Sequence, residues 1–335
     1  MKITILLHGP FSDNAYEKLL SSLKKIPKHY RSELNIIAVC YTTDFEETKV
    51  VFEKFSYFSV QFIQSKDLIN PGFFNMNRQI LTVSKGLSAI DGDAFVIKLR
   101  NDMWISWKKL FKILKKNNFL QDSPEKIFTT NCFTRKDRLY HPSDLFLCGW
   151  KKTLCEYYSR PLTDLTQINW QLSILKKTQE SDEPFYKIMF SPESELFSHY
   201  LKVRKWDFKN TLEDSYEAIK KYCLVINTWD IDLRWNKKRN AFLPKGTIIL
   251  PYKFSLEPFA GVPKENAECY ARHDFEGHKT LRDIRYLALA RFVFGWKYTY
   301  KNAIRTKVIK ILKKIYRSPF FPELGRRLYW KFFRR

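Results

Sequence analysis

Short apolar runs alternate with helix-like segments along the first hundred positions. Ile3 to Leu7 is a short apolar run that ends at His8-Gly9-Pro10, as a buried strand entering a loop does. Residues 13–25 read as helix, Asn35 to Tyr41 as a second buried strand, residues 44–54 as helix and Ser59 to Ile63 as a third strand. Pro71-Gly72 breaks the chain. Asn75 is placed to cap a helix whose apolar positions Ile80, Val83, Leu87 and Ile90 keep helical spacing. Asp91-Gly92 ends that helix, Ala94 to Leu99 forms a fourth strand, and Asn101-Asp102 follows at once. Strands alternating with helices predict an α/β fold with a mainly parallel sheet covered on both faces. Ligands bind such sheets beyond the carboxyl ends of the strands. His8 to Pro10 and Asp102 fall at that edge.

Beyond residue 150 the pattern is less regular. Helices are expected near 151–159, 165–177, 192–203 and 211–221. A β-rich patch spans about 222–260, with Leu224-Val225-Ile226 and Thr247-Ile248-Ile249-Leu250 as its clearest strands, and helices resume from about 278. No linker-like stretch divides the chain, so one domain over residues 1–285 with an extension over 286–335 is expected. In that extension Ile304, Val308, Ile311, Leu312 and Ile315 fall on one helical stripe, with basic residues between them. Aromatic residues interleaved with cations follow, at Phe320-Phe321 and Leu328-Tyr329-Trp330-Lys331-Phe332-Phe333.

Charge sharpens this picture. The chain of 335 residues has 59 Lys and Arg against 35 acids, a net +24, which favours anionic partners. Residues 301–335 hold twelve of those cations against the single acid Glu323, a net +11. A basic amphipathic helix followed by cation-flanked aromatics suits an anionic membrane interface. The plainer reading packs the apolar stripe on the domain and leaves the charges solvated. With 44% hydrophobic and 16% aromatic residues, the chain can bury a core, which argues against disorder. None of the six cysteines forms a Cys-x-x-Cys pair, and they read as small core residues in a reducing compartment. No run reaches the ~18 apolar residues of a membrane span. The expected location is cytoplasmic, peripheral on the inner face of the cytoplasmic membrane.

Asp102, just past a buried strand, is placed to hold Mg²⁺ or Mn²⁺ against a diphosphate, with Arg100 free to pair with phosphate. The plainer reading is a turn at Asn101-Asp102. Asn75-Met76-Asn77-Arg78-Gln79 opens a helix, where unpaired N–H groups and the dipole attract anions. Asp230-Ile231-Asp232 is a rival metal candidate behind the strand at 224–226, and His273-Asp274-x-Glu276-x-His278 reads as a polar loop.

As an ordered set these stretches resemble the WavE lipopolysaccharide-synthesis family. The matching residues are Asn75-x-Asn77-Arg78-Gln79, Lys85-Gly86-Leu87 and Lys98-x-Arg100-x-Asp102, supported by His8-Gly9-Pro10, Ser143-Asp144-Leu145-Phe146 and Pro192-Glu193. The resemblance covers about residues 3–200. His8 stands where glutamine is usual, and Asn101 where a small hydroxyl residue is usual. The resemblance implies a GT-A-like catalytic domain and a bacterial nucleotide-sugar-dependent glycosyltransferase of lipopolysaccharide or capsule assembly. It also implies a divalent metal at Asp102 and donor contacts from His8, Gly9, Pro10, Asn77, Arg78, Gln79, Lys98, Arg100 and Asp102. Asp144 or Glu193 would be the catalytic base; their plainer readings are a turn after Pro142 and a dipole-favoured first helical turn. Expected partners are the donor, a lipid-linked glycan acceptor and the membrane. A nucleic-acid-binding protein and a catalytically inactive scaffold of a glycan-assembly complex are the alternatives.

Overall fold

The computed structural model describes residues 1–9, 13–53, 58–170, 173, 191–236, 245–251, 254–255, 266–267 and 269–294. Pro10 and residues 301–335, with the amphipathic segment expected there, lie outside the described residues.

A seven-stranded sheet forms the centre, in the order β3-β2-β1-β4-β7-β6-β8. Its strands are β1 (Ile3–His8), β2 (Leu34–Tyr41), β3 (Val60–Ser65), β4 (Phe95–Arg100), β6 (Ile127–Thr130), β7 (Phe146–Trp150) and β8 (Cys223–Ile226). β7 alone runs against its neighbours; every other pairing in this sheet is parallel. The mainly parallel, helix-flanked sheet read from the sequence is therefore present. The first four strands were legible in the sequence, β1, β2 and β4 as mainly apolar buried runs and β3 as a strand that proves half-exposed. β6, β7 and the helix Trp107–Lys116 were not read from the sequence.

Strand alternation divides the core in two. Ile5, Leu7, Ile97 and Leu99 pack with α1 (Asp13–Leu23) and α5 (Trp107–Lys116). Leu6, Val96 and Leu147 pack on the other face with α4 (Met76–Ser88), α6 (Lys151–Tyr157), α7 (Pro192–Val203) and α8 (Leu212–Tyr222). The short helices α2 (Lys28–Arg31) and α3 (Phe45–Glu53) link the early strands. Gly86 lets α4 lie close on β1: a Cβ there would meet Leu6 Cδ1 at 2.2 Å and Val39 Cγ2 at 3.1 Å.

A two-stranded ribbon pairs β5 (Met103–Trp104) with β9 (Arg234–Trp235), Met103 opposite Trp235. Thr247 to Leu250 is not the strand that its apolar run suggested. Only the bridge from Ile248 to Arg234 forms. Ile249 is buried, but its N–H donates to the Leu233 carbonyl at 2.9 Å, and its carbonyl accepts from the Thr228 hydroxyl. The backbone groups are satisfied by a loop and a side chain, so no ladder is needed.

The final described helices are α9 (Arg272–Glu276) and α10 (Leu281–Phe294). The expected polar loop at 273–278 is thus partly helical, because Asp274 accepts from the Ala271 N–H at 2.7 Å and satisfies its first turn. α10 runs through residue 285 and is tied to the domain by Asp283. That buried carboxylate accepts from Asn227 Nδ2 and Trp229 Nε1, both at 2.8 Å, and from Arg272 at 2.9 Å.

Candidate functional site

The parallel strands bring His8 and Arg100 side by side at the carboxyl edge of the sheet. The antiparallel β7 begins at the same edge, Phe146 opposite Leu99, so Asp144 arrives beside Arg100. Lys98 and Arg100 occupy the face on which α4, α6 and α7 pack, since Ile97 and Leu99 point the other way.

Arg100 grips Asp102 with both arms of its guanidinium, Nε to Oδ1 and Nη2 to Oδ2, each at 2.9 Å. The β5–β9 ribbon delivers Trp235, whose Nε1 donates to Asp102 Oδ2 at 2.7 Å and whose ring lies 5.2 Å below the guanidinium carbon. Both Asp102 oxygens are therefore engaged. Among the described residues no three His, Cys, Asp or Glu side chains converge as metal ligands. This donor set does not suit a cation caged by protein alone. A cation held here would have only Asp102 from the protein and would need its other ligands from a bound phosphate and water.

Lys98 is completely buried, and its ammonium donates to the Asp144 carbonyl. Burial drives its pKa down to about 8, against the pull of Asp144 and Glu193. Glu193 opens α7, where the Ser191 side chain accepts from the Ser194 N–H. Its carboxyl is pushed up to about 8, by burial first and then by the Asp144 charge. The two base candidates, remote in sequence, thus lie close enough for their charges to act on each other and on Lys98. Arg100 also senses Asp144, which joins the pair to the Asp102 side of the site.

His8 is buried and held well below its ordinary pKa by burial and by Lys98 and Arg100, so its ring is neutral. Its Nε2 and the Oδ1 of buried Asn101 have no hydrogen-bond partner among the described residues. Asn101 otherwise braces the edge, its side chain donating to the Gly9 carbonyl at 2.7 Å. Gly9 adopts φ 97°, open space to a side chain but strained for one. Two orphaned buried polar atoms at adjacent strand ends are what a ligand-binding edge leaves behind.

The Asn75–Gln79 cluster is arranged differently from the sequence expectation. Asn75 takes a left-handed backbone, φ 64°, and does not cap the helix; its Oδ1 accepts from Arg78 Nη1 at 2.8 Å. The Asn77 and Arg78 N–H groups both donate to the Pro71 carbonyl, at 3.0 and 3.4 Å, so that first turn is not open to an anion. The Asn77 amide clamps the loop at Thr163, donating to its carbonyl at 2.7 Å and accepting from its N–H at 2.8 Å. Arg78 forks onto Asp67 with two bonds of 2.7 Å at the rim of β3. Gln79 reaches the Tyr158 hydroxyl at 3.4 Å.

The rival acidic pair is not joined. Asp230 accepts from the Asn227 N–H at 3.1 Å and faces Arg272 at 3.6 Å. Asp232 pairs with Lys109 and, at 3.0 Å, with Arg282. The two carboxylates stitch the loop to different cations, Asp230 to Arg272 and Asp232 to Lys109 and Arg282. Sequence reasoning missed Trp235 and His141. Trp235 reaches Asp102 across 133 residues, with no local signal.

A mainly parallel sheet with helices on both faces, carrying cations, a carboxylate and a carboxyl pair at the carboxyl edge, is an α/β domain with a candidate anion-binding edge. A sequence profile described as WavE lipopolysaccharide synthesis matches residues 59–230, about half of the 335 residues. The chain belongs to that family. No curated protein matches it. Among solved structures it is similar to S. aureus TarS, with 17% identity over 39% of this chain and 21% of that one and a TM-score of 0.30. A TarS 1–349 structure with UDP-GlcNAc gives 17% identity over 39% of this chain and 34% of that one, TM-score 0.28. The chain thus spans about a third or less of these two relatives. The mannosyltransferase PcManGT from Pyrobaculum calidifontis, with GDP-Man and Mn²⁺, is 12% identical over 65% of this chain and 74% of that one, TM-score 0.35.

Proposed function

We propose that the chain is a glycosyltransferase that moves a sugar from a nucleotide-sugar donor to a lipopolysaccharide, capsule or other surface-glycan acceptor. The observation that carries this reading is the meeting of the Arg100–Asp102 pair with the carboxyls of Asp144 and Glu193 at one strand edge, in a chain of the WavE family. Transfer needs two things at that point. The leaving diphosphate must have its charge met, and the attacking hydroxyl must lose a proton.

Arg100 is the cation placed for the first task. It exchanges its Asp102 partner for a phosphate oxygen, and Arg78, in a half-exposed pair with Asp67, is able to do the same from the rim. A divalent cation would be held by Asp102 together with the diphosphate, and would add neutralising charge there. The acceptor oxygen attacks the anomeric carbon as the bond from that carbon to the diphosphate breaks, the electron pair leaving with the diphosphate. The acceptor proton passes to the Asp144–Glu193 pair. His8 and Asn101, with their unpartnered atoms, supply polar contacts to the donor.

The acceptor in this reading is lipid-linked. Residues 301–335, with their net +11, attach the enzyme to an anionic membrane surface beside it. Among the described residues no helix is long and apolar enough to cross a membrane.

A thermal-shift screen with UDP-, GDP-, CMP- and dTDP-sugars, with and without Mn²⁺, tests the reading. A ligand that binds only the folded state at a hundred times its Kd stabilises it by about 2.7 kcal/mol. At least one nucleotide-sugar is expected to raise Tm by several degrees. No shift with any donor contradicts the reading.

A further inference from the structure

We propose that Glu193 is the group that takes the acceptor's proton, and that His141 is the positioning residue that receives the protonated carboxyl. This deepens the glycosyltransferase reading and rests on it.

Glu193 is the more open of the two residues: it is partly exposed, whereas Asp144 is buried. An incoming hydroxyl reaches Glu193 more readily. His141 Nε2 lies 3.7 Å from Glu193 Oε2. The other ring nitrogen, Nδ1, is 3.1 Å from the Phe133 carbonyl. A carbonyl only accepts, so Nδ1 carries the ring proton and Nε2 presents a lone pair to Glu193. The ring stays neutral, because burial first and then Arg135 and Arg138 hold its pKa well below the ordinary value.

A neutral acceptor beside a carboxyl favours the protonated acid over the carboxylate. Protonated Glu193 is the form generated as the sugar transfers, so His141 stabilises the state toward which the reaction moves. The balance is closed. The acceptor O–H bond breaks, its proton joins a Glu193 oxygen, and the oxygen's electron pair forms the new bond to the anomeric carbon. The old carbon–oxygen pair departs with the diphosphate. The protonated carboxyl then needs only a small closure to donate to His141 Nε2; such contacts are commonly long before substrate binds.

The charged and titratable groups facing Glu193 are His141, Asp144, Lys98, Arg135, Tyr157 and Tyr158. Lys98 also titrates at about 8. A kinetic limb in this range therefore requires assignment by substitution.

His141→Asn is the discriminating variant. Its amide can keep the bond to the Phe133 carbonyl while removing the group at Nε2. Two readouts are taken on the full chain: ¹³C NMR titration of glutamate carboxyls, and kcat against pH with the donor found by the thermal screen. A glutamate resonance is expected to titrate near pH 8 and to vanish in Glu193→Gln. In His141→Asn its midpoint is expected to fall by about one unit, a tenfold change in proton affinity. The kcat limb, rising with pH as the carboxylate appears, is expected to move with it, the donor KM being unchanged. A midpoint that stays put in folded His141→Asn overturns the proposal. So does a kcat limb that survives in Glu193→Gln and disappears in Asp144→Asn. The NMR titration decides whether His141 sets the proton affinity of Glu193 even if no donor is turned over; absence of turnover with every donor counts against the glycosyltransferase reading instead.

Discussion

The carboxyl edge of β4 concentrates opposing charges within a few residues. Lys98 is buried there and donates to the Asp144 carbonyl, Arg100 forks onto Asp102, and the Asp144 and Glu193 carboxyls feel each other's charge. Buried like charges cannot both ionise cheaply, so the pair retains a proton that a lone surface carboxyl would lose. That makes Asp144 the charge that tunes its neighbour. Asp144→Asn is expected to move the rising kcat limb to lower pH and to lower the plateau kcat above it, while leaving donor affinity within a few-fold, since its effect lies in proton transfer. Steady-state kinetics with parallel donor titration checks this. Equal losses in affinity and turnover would give Asp144 a donor-binding role instead.

Among the elements, α4 decides where the rim residues stand. Its contact with β1 depends on Gly86, and its first turn is fixed by the Pro71 carbonyl and by the Asn77 clamp on Thr163. Gly86→Val would drive a branched side chain into Leu6 and Val39. A destabilisation of about 1–3 kcal/mol is expected by overpacking, read as a lower urea midpoint with unchanged slope. A midpoint equal to the parent's would mean that α4 is not packed this tightly. Much of this layer was legible in the sequence. Central parallel strands are buried on both faces, so β1, β2 and β4 read as mainly apolar runs, interrupted only by Thr4, Asn35 and Lys98 before their ends, and α7 announced itself through Ser191-Pro192. The first turn of α4 was misread because Asn75, a good cap by type, takes a left-handed backbone that turns its side chain to Arg78. The site was legible only in part. Asp102, Asp144 and Glu193 stood out as an ordered set of motifs, but their meeting depends on the reversal of β7, which no local pattern announces. His141 and Trp235 carry no signal at all until β9 and the Phe133 loop are in place.

At the scale of the whole molecule, the described residues build one seven-stranded sheet with two small ribbons, and charge is strongly uneven along the chain. Nearly half of its net +24 lies in residues 301–335. Each basic residue near an anionic bilayer contributes about 1 kcal/mol, and interfacial aromatic rings add apolar burial. Cutting the chain at residue 300 is expected to abolish co-sedimentation with phosphatidylglycerol vesicles at low salt while leaving donor-induced stabilisation intact. Equal pelleting of both forms would mean that the anchor lies elsewhere.

The most direct measurement of the central claim is release of nucleoside diphosphate from a panel of nucleotide-sugars, by the parent chain and by Asp102→Asn, with Mn²⁺ present. Asp102 orders Arg100 and Trp235 at the edge where the diphosphate would lie. The account predicts turnover of at least one donor by the parent, and at least a hundredfold loss in a folded Asp102→Asn protein, on the order of 2.7 kcal/mol in the barrier. Undiminished release by Asp102→Asn, or none by the parent from any donor, would contradict it.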